Sequence, residues 1–170
     1  MLATRVSVEE YLRTNYDPDR DYVDGVLEER NLGQRDHSRL QILLGIWFWQ
    51  FCQVHQMRAY SEQRLKIGPA EYRIPDVCVM KGSYPAEQIF SEPPYICIEI
   101  LSPEDRIGRL QERVNDYARM GVRNIWVIDP VERLAWTADS RGLQVAPDGV
   151  LVTNDGMVTM SLAAVYALDD

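Results

Sequence analysis

A chain of 170 residues with 46% hydrophobic content is long enough for one well-buried domain and short for two, so we expect a single domain over residues 1–170. The net charge of −8 excludes a protein coated in basic surface, and any contact with DNA would need a local basic patch. Three cysteines without a CxxC spacing, and the lack of an apolar segment of signal-peptide or membrane-helix length, lead us to expect a cytoplasmic protein with reduced thiols and no membrane contact.

Two local signals mark the first thirty residues. Ser7, followed three residues later by Glu10, predicts a capping box at the start of a short helix. Asp24 and Gly25 stand between apolar residues and predict the turn of a hairpin. The polar residues 31–36 that follow predict a loop.

Helical spacing of apolar residues begins at His37 and continues to Val54. The pattern predicts a core helix, the most buried element of the fold, packed on a sheet through the residues Leu40, Leu44, Trp47 and Phe51. This helix is apolar around most of its circumference, and its tryptophans Trp47 and Trp49 are typical of core and interface positions. We therefore expect a homodimer.

Strand-like and helix-like segments then alternate along the rest of the chain. Strands are predicted at residues 64–67, 74–79, 95–101 and 124–130, a helix at 106–120 with Gly121 as its C-cap, and a last short helix at 161–166. This order predicts the α/β class, with a mixed β-sheet flanked by helices on both faces.

Asp76 and Glu99 are the residues that packing does not explain. Each lies in a short β-branched run without a lysine or arginine in that run. Removing two carboxylates from water is costly, and a shared divalent cation is a common way to offset the cost. We expect both carboxylates over one face of a sheet. Because like charges repel, Asp76→Asn is expected to cost little stability. The alternative is a pair of edge-strand acids that reach solvent or pair with arginines.

The motifs and their order resemble the PD-(D/E)XK nucleases and, more closely, the Uma family of restriction-endonuclease-like proteins. The resemblance covers nearly the whole chain. The matching segments are DYVDG at 21–25, His37, RIPDV at 73–77, EILSP at 99–103, YARMGV at 117–122 and IWVIDP at 125–130. It implies a restriction-endonuclease-like fold and an endonuclease that hydrolyses DNA. A magnesium or manganese ion would be held by Asp76, Glu99 and the backbone carbonyl of Ile100.

The basic residue departs from the nuclease pattern. That pattern has a lysine two positions after the glutamate, where this chain has Leu101, and neither of its lysines follows Glu99. In the Uma family a basic residue on the next helix replaces that lysine, and the corresponding residue here is Arg113. Arginine does not act as a general base at ordinary pH, but its planar donors suit a phosphate. Two functions stay open: a metal-dependent DNA endonuclease with Asp76, Glu99 and Arg113 as catalytic residues, and a non-catalytic dimeric interaction or regulatory domain.

Three further sets of residues are weaker candidates. His37 matches a family position, although a histidine there is more often a surface or capping residue. Asp21 and Glu29 flank the predicted hairpin and could supply a third carboxylate, although exposed turn charges would need no explanation. A basic stretch follows Glu99 and would suit phosphate contacts to DNA, although interleaved acids fit an ion-paired helix face equally well. Its members are Arg106, Arg109, Arg113, Arg119 and Arg123.

Overall fold

The computed structural model describes residues 5–30, 33–83 and 85–169. The helices are α1 Val8–Arg13, α2 Arg35–His55, α3 Ile107–Met120 and α4 Leu162–Tyr166. The strands are β1 Arg20–Val23, β2 Val26–Glu29, β3 Met57–Ser61, β4 Leu65–Gly68, β5 Glu71–Arg73, β6 Val77–Lys81, β7 Ile96–Ile100, β8 Ile125–Asp129, β9 Leu134–Asp139, β10 Gly142–Val145, β11 Val150–Val152 and β12 Thr159–Ser161.

The predicted α/β class with a mixed sheet is confirmed. The central sheet has six strands in the order β10-β9-β8-β7-β6-β3, of which only the β7–β8 pair is parallel. That parallel pair is joined through α3, because a parallel crossover needs a long connection. Helix α2 packs on one face of the sheet and α3 on the other, each over its own hydrophobic cluster.

A second sheet of four strands stands beside the central one, in the order β2-β1-β5-β4. It packs with α1 around three tyrosines, Tyr11, Tyr22 and Tyr72, of which the first two are stacked and the third is tilted against them. The sequence predicted its hairpin correctly: Asp24 and Gly25 both have positive φ, as the tight turn between β1 and β2 requires. It did not predict that this hairpin joins a separate sheet.

Helix boundaries follow their predicted signals closely. Ser7 caps α1 by accepting a hydrogen bond from the Glu10 N–H, and Gly121 ends α3 with φ of 108°. Helix α2 begins at Arg35, two residues before the predicted start, inside the expected polar loop. The part of that loop at residues 31–32 lies outside the described residues.

The prediction that α2 is the most buried element is wrong. Leu40 and Leu44 are fully buried and Trp47 and Phe51 pack at the edge of the same cluster, but Trp49 is 69% exposed. Strand β7 is buried at every residue, because helices cover both faces of the central sheet.

In the described part of the chain no helix is both long and apolar enough to span a membrane.

Candidate active site

A polar pocket of about 220 Å³ opens where β6 begins and β7 ends. Its walls come from the β1–β2 hairpin, the first turn of α2 and the first two turns of α3. Asp76, Glu99, Ile100 and Arg113 all line it. The structure therefore brings together the residues that the sequence predicted for the site.

Strand register places the two carboxylates side by side. Strands β6 and β7 are antiparallel with Val77 opposite Ile98, so one further residue brings Asp76 opposite Glu99. Two residues into each strand, Cys78 and Cys97 pack in the cluster beneath α3. Alternation along β7 directs Glu99 to that face, and Asp76, one residue before β6, is close enough for its charge to raise the pKa of Glu99.

Asp76 is buried and fully engaged. Its Oδ1 lies 3.1 Å from the Arg30 guanidinium, and its Oδ2 lies 3.4 Å from Nε2 of His37 and 2.7 Å from the Ile100 N–H that donates to it. Burial by itself raises the pKa of this carboxyl, but the His37 and Arg30 contacts outweigh burial and hold the pKa below its usual value. Asp76 is thus stabilised as an anion.

Glu99 is also buried, but its pKa is shifted in the opposite direction. Tyr117 donates its hydroxyl to Oε1 at 2.5 Å, and Nε of Arg113 lies 3.0 Å from Oε2. Burial raises the pKa of Glu99 to about 7, since the attraction of Arg113 is opposed by the nearby charge of Asp76. The two carboxyls therefore have pKa values that are pushed apart, a pattern common at functional sites.

The expectation that Asp21 is an exposed turn charge is wrong. Asp21 lies in β1 and is 4% exposed. Its carboxylate accepts hydrogen bonds from the Arg73 guanidinium and the Ile74 N–H, both at 3.1 Å. The same guanidinium also pairs with Glu28 and Asp116. Asp21 thus anchors the segment that leads into Asp76.

His37 and Glu29 have different positions at the pocket. His37 is buried with its Nε2 beside Asp76, so it is neither a surface nor a capping residue. Burial lowers its pKa, but the contact with Asp76 raises the pKa more, and the net shift is upward. Glu29 lies on the exposed rim, where it pairs with Arg20, and fits the description of a solvent-facing charge.

The predicted arginine patch divides into two groups. Arg106, Arg109 and Arg113 line the pocket. Arg119 pairs with Asp116 and Glu71 outside the pocket. Arg123 lies beyond the C-terminal end of α3, beside a separate surface depression. Of these, Arg113 occupies the place expected from the resemblance: it reaches Glu99 from α3 while Leu101 packs in the cluster beneath that helix.

Sequence reasoning missed three residues of this site: Arg30, Arg73 and Tyr117. Arg73 and Tyr117 both lie in segments that match the family, but the resemblance assigned no function to either residue. Arg30 follows the hairpin and gives no sequence signal, because its contact with Asp76 spans 46 positions of the chain. Long-range pairing of this kind is set by the packing of the two sheets.

Metal binding is compatible with the donor set. The described ranges contain no group of three or more His, Cys, Asp or Glu residues placed to hold an ion. Asp76 and Glu99 nevertheless supply hard oxygen donors, and the Ile100 backbone lies against Asp76. The carbonyl of this same residue is the third oxygen that the family resemblance implies as a ligand. Two carboxylates and a carbonyl suit Mg²⁺ or Mn²⁺, which keep several waters.

Comparisons with known proteins identify a family and a similar fold. The family Uma2, described as "Putative restriction endonuclease", matches residues 8–157. A crystal structure described as a putative nuclease belonging to DUF820, from Anabaena variabilis ATCC 29413, superposes with a TM-score of 0.79. That protein is 20% identical, and the match covers 95% of this chain and 98% of the other. No significant match is found among curated proteins.

Proposed function

The chain belongs to the Uma2 family, and from that premise we propose that it is a metal-dependent endonuclease that hydrolyses phosphodiester bonds in DNA. One observation carries the proposal: Asp76 and Glu99 open into a single polar pocket with arginines around it. A buried pair of carboxylates suits a cation, and the arginines suit a phosphate.

Asp76, Glu99 and the Ile100 carbonyl would hold the ion. A bound Mg²⁺ or Mn²⁺ would supply an activated water and would offset negative charge on the phosphate. Without an ion, Arg30 and His37 compensate the charge of Asp76. The carboxylate is therefore kept ionised and ready to act as a ligand.

Arg113 is the residue that we propose to contact the scissile phosphate. Its side chain is about one-fifth exposed, and its guanidinium spans Glu99 and Asp105. A phosphate oxygen can share its planar donors, and burial of the guanidinium strengthens such a contact. Because arginine stays protonated, it binds and orients the phosphate and does not take a proton from water.

Tyr117 is a positioning residue in this proposal. Its hydroxyl fixes Oε1 of Glu99 from α3, and both side chains are buried. One oxygen of Glu99 is thus held by a neutral donor, while the other faces Arg113. This arrangement orients the carboxylate before any ligand arrives, which lowers the cost of binding.

The leucine at position 101 and the ion pairs of Arg113 favour the second candidate function, a non-catalytic domain. The usual lysine is missing, and Arg113 is already paired with two carboxylates. A non-catalytic interaction or regulatory domain would keep this network as a structural one. The two candidates differ in whether the pocket binds an ion and whether DNA is cut.

Calorimetry with MgCl₂ and MnCl₂ separates the candidates most directly. The wild type and Glu132→Ala, which removes an exposed carboxylate outside the pocket, should bind the ion equally. Asp76→Ala should lose the binding isotherm. Cleavage of supercoiled plasmid in the same buffers should follow the same order. Ion binding that survives Asp76→Ala, or no cleavage by the wild type with either ion, would favour the non-catalytic function.

A further inference from the structure

The two carboxylate oxygens of Asp76 have different partners. Oδ2 accepts a hydrogen bond from the Ile100 N–H and lies 3.4 Å from Nε2 of His37, so two groups already occupy it. Oδ1 has one partner among the described residues, the Arg30 guanidinium at 3.1 Å. Because each carboxylate oxygen has two lone pairs, Oδ1 is the oxygen that can still take a ligand. An ion at Asp76 therefore binds beside Arg30.

Arg30 and a divalent cation compete for this oxygen. Burial lowers the pKa of Arg30, but the charges of Asp76 and Asp21 raise it by more, so the guanidinium stays cationic. A second cation at Oδ1 would stand a few ångströms from this one, in a buried site where solvent screens little of the repulsion. Ion binding is therefore favoured when Arg30 moves away.

Asp76 is fixed by bonds that do not involve Arg30. Its carbonyl accepts hydrogen bonds from the Gln41 side chain at 2.9 Å and from the Glu62 N–H at 3.2 Å. Its side chain is also held by the Ile100 N–H at 2.7 Å. These contacts come from α2, from the end of β3 and from β7, so the carboxylate stays in place. The movement has to come from Arg30.

Arg30 is the less tethered of the two arginines that contact the carboxylates. Arg113 lies within α3 and spans Glu99 and Asp105. Arg30 follows the last residue of β2, and Asp76 is its one hydrogen-bond partner in the described part of the chain. Its side chain is 18% exposed and lines the pocket. Arg30 can therefore turn into the pocket without breaking a helix or strand.

We propose that Arg30 exchanges partners as the site fills: it leaves Asp76 when the ion binds and then holds a phosphate of the DNA. This inference rests on the proposed nuclease function and makes Arg30 a second phosphate-binding residue beside Arg113. Charge stays balanced, because the ion replaces a cation next to Asp76 and the released guanidinium meets an anion. Ion and DNA therefore bind with positive coupling, each raising the affinity for the other. The alternative is that Arg30 and Asp76 form a permanent structural pair.

Ion binding to variants of Arg30 tests the first half of the exchange. Arg30→Met leaves Asp76 without this partner, so it should melt below the wild type in chelator, and MgCl₂ or MnCl₂ should raise its melting temperature by more. Calorimetry should show ion binding at least about tenfold tighter than in the wild type, because one charge-assisted hydrogen bond no longer has to be broken. Arg30→Lys keeps the charge without the planar donors and should lie between the two; it replaces Arg30→Met if that variant fails to fold.

Arg109→Met is the matched control for charge. Arg109 lines the same pocket but forms no ion pair with another residue that the structure describes. Its substitution removes an equal charge without freeing a carboxylate oxygen. Ion affinity should therefore change much less than in Arg30→Met.

Fluorescence anisotropy with a labelled DNA duplex tests the second half of the exchange. CaCl₂ is the added salt, because Ca²⁺ also takes oxygen ligands, and a gel confirms that the duplex stays intact. The ion should raise the DNA affinity of the wild type by a larger factor than that of Arg30→Met, which has no guanidinium to release. Arg109→Met should bind DNA more weakly with and without the ion, but its gain should equal that of the wild type.

Two results would overturn the exchange and leave the proposed metal site intact. One is equal ion affinity in the wild type and Arg30→Met, as a permanent structural pair or a distant ion would give. The other is an equal gain in DNA affinity when the ion is added to these two proteins. If the wild type, Arg30→Met and Arg30→Lys all fail to bind an ion, the exchange and the proposed metal-dependent function are both wrong.

Discussion

The N–H of Ile100 donates a 2.7 Å hydrogen bond to Oδ2 of Asp76, which ties the end of β7 to the residue that precedes β6. The bond joins two of the three groups proposed to hold an ion. It also means that Asp76 has a structural role in addition to any role in binding.

Asp76→Asn is therefore expected to destabilise the protein, which reverses the expectation from sequence. The sequence suggested relief of repulsion, but Asp76 is matched by Arg30 and His37. Losing the charge leaves those groups less well paired, at a cost of about 1–3 kcal/mol. Because the pKa of Asp76 is lowered by folding, this contribution is present above pH ~4 and fades as the pH falls through the lowered value. Urea melts at neutral and acid pH, with chelator present, measure it; equal midpoints for both proteins would contradict it.

Glu99→Gln should behave in the opposite way. The pKa of Glu99 is raised from 4.5 to about 7, so the folded protein favours the neutral carboxyl. Stability from this group is present below pH 4.5 and is lost as the pH rises through about 7. The variant should match the wild type near pH 5 and be at least as stable near pH 8. Thermal melts in chelator at the two pH values check this, and a variant that is much weaker at pH 8 would show that the pair with Arg113 dominates.

Arg73→Met should be among the most damaging single changes. Arg73 is 3% exposed and pairs with Asp21, Glu28 and Asp116. Removing it leaves Asp21 buried without its cation, which typically costs about 3–5 kcal/mol. Arg141→Met removes an exposed pair with Asp139 that solvent screens, so its loss of stability should be much smaller. Urea unfolding of the two variants compares the losses directly, and similar small losses would mean that the buried network is not stabilising.

Variants of Arg113 test whether this residue takes part in DNA cleavage. Arg113→Lys should keep or raise any magnesium-dependent cleavage, because lysine restores the residue type of the usual nuclease pattern on the same helix. Arg113→Ala should abolish cleavage. The measurement is cleavage of supercoiled, nicked and linear DNA under identical conditions. Equal cleavage by all three proteins would exclude Arg113 from the mechanism.

DNA affinity should depend on Arg106 and Arg109 and not on Arg123. The first two line the pocket and form no ion pair with another described residue, whereas Arg123 lies beyond the other end of α3. Each phosphate contact that is lost should reduce the salt dependence of binding by about one unit of slope. Fluorescence anisotropy with a DNA duplex at several salt concentrations compares Arg106→Ala and Arg109→Ala with Arg123→Ala. Identical slopes for all three variants would place the DNA elsewhere.

Local signals were strong wherever a few neighbouring residues determine the conformation. Ser7 at the start of α1 and Gly121 at the end of α3 were predicted at the correct residues, because capping depends on bonds within one turn. The Asp24–Gly25 turn was predicted for the same reason. The predicted start of α2 was two residues too late. Its N-cap, Gln34, forms no side-chain hydrogen bond and therefore gives no capping signal in the sequence.

Burial along α2 shows where periodicity is insufficient. Apolar spacing predicts a helix, but nothing in it distinguishes Leu44, which is fully buried, from Ile42, which is 56% exposed. Which face meets the sheet depends on how the helix docks. An apolar residue on the outer face is consistent with an interface, but the sequence pattern does not mark it as such.

The sequence by itself determined the fold class from the order of its predicted elements and the family from its matched segments. It also singled out Asp76 and Glu99 as candidate site residues, because carboxylates rarely interrupt β-branched runs. Only the tertiary structure decided their chemistry. Asp76 is held as an anion by residues up to 46 positions away, while Glu99 is driven toward its neutral form by burial. Charge balance depends on distances and on exclusion of water, and both arise when the second sheet and α3 close over the ends of β6 and β7.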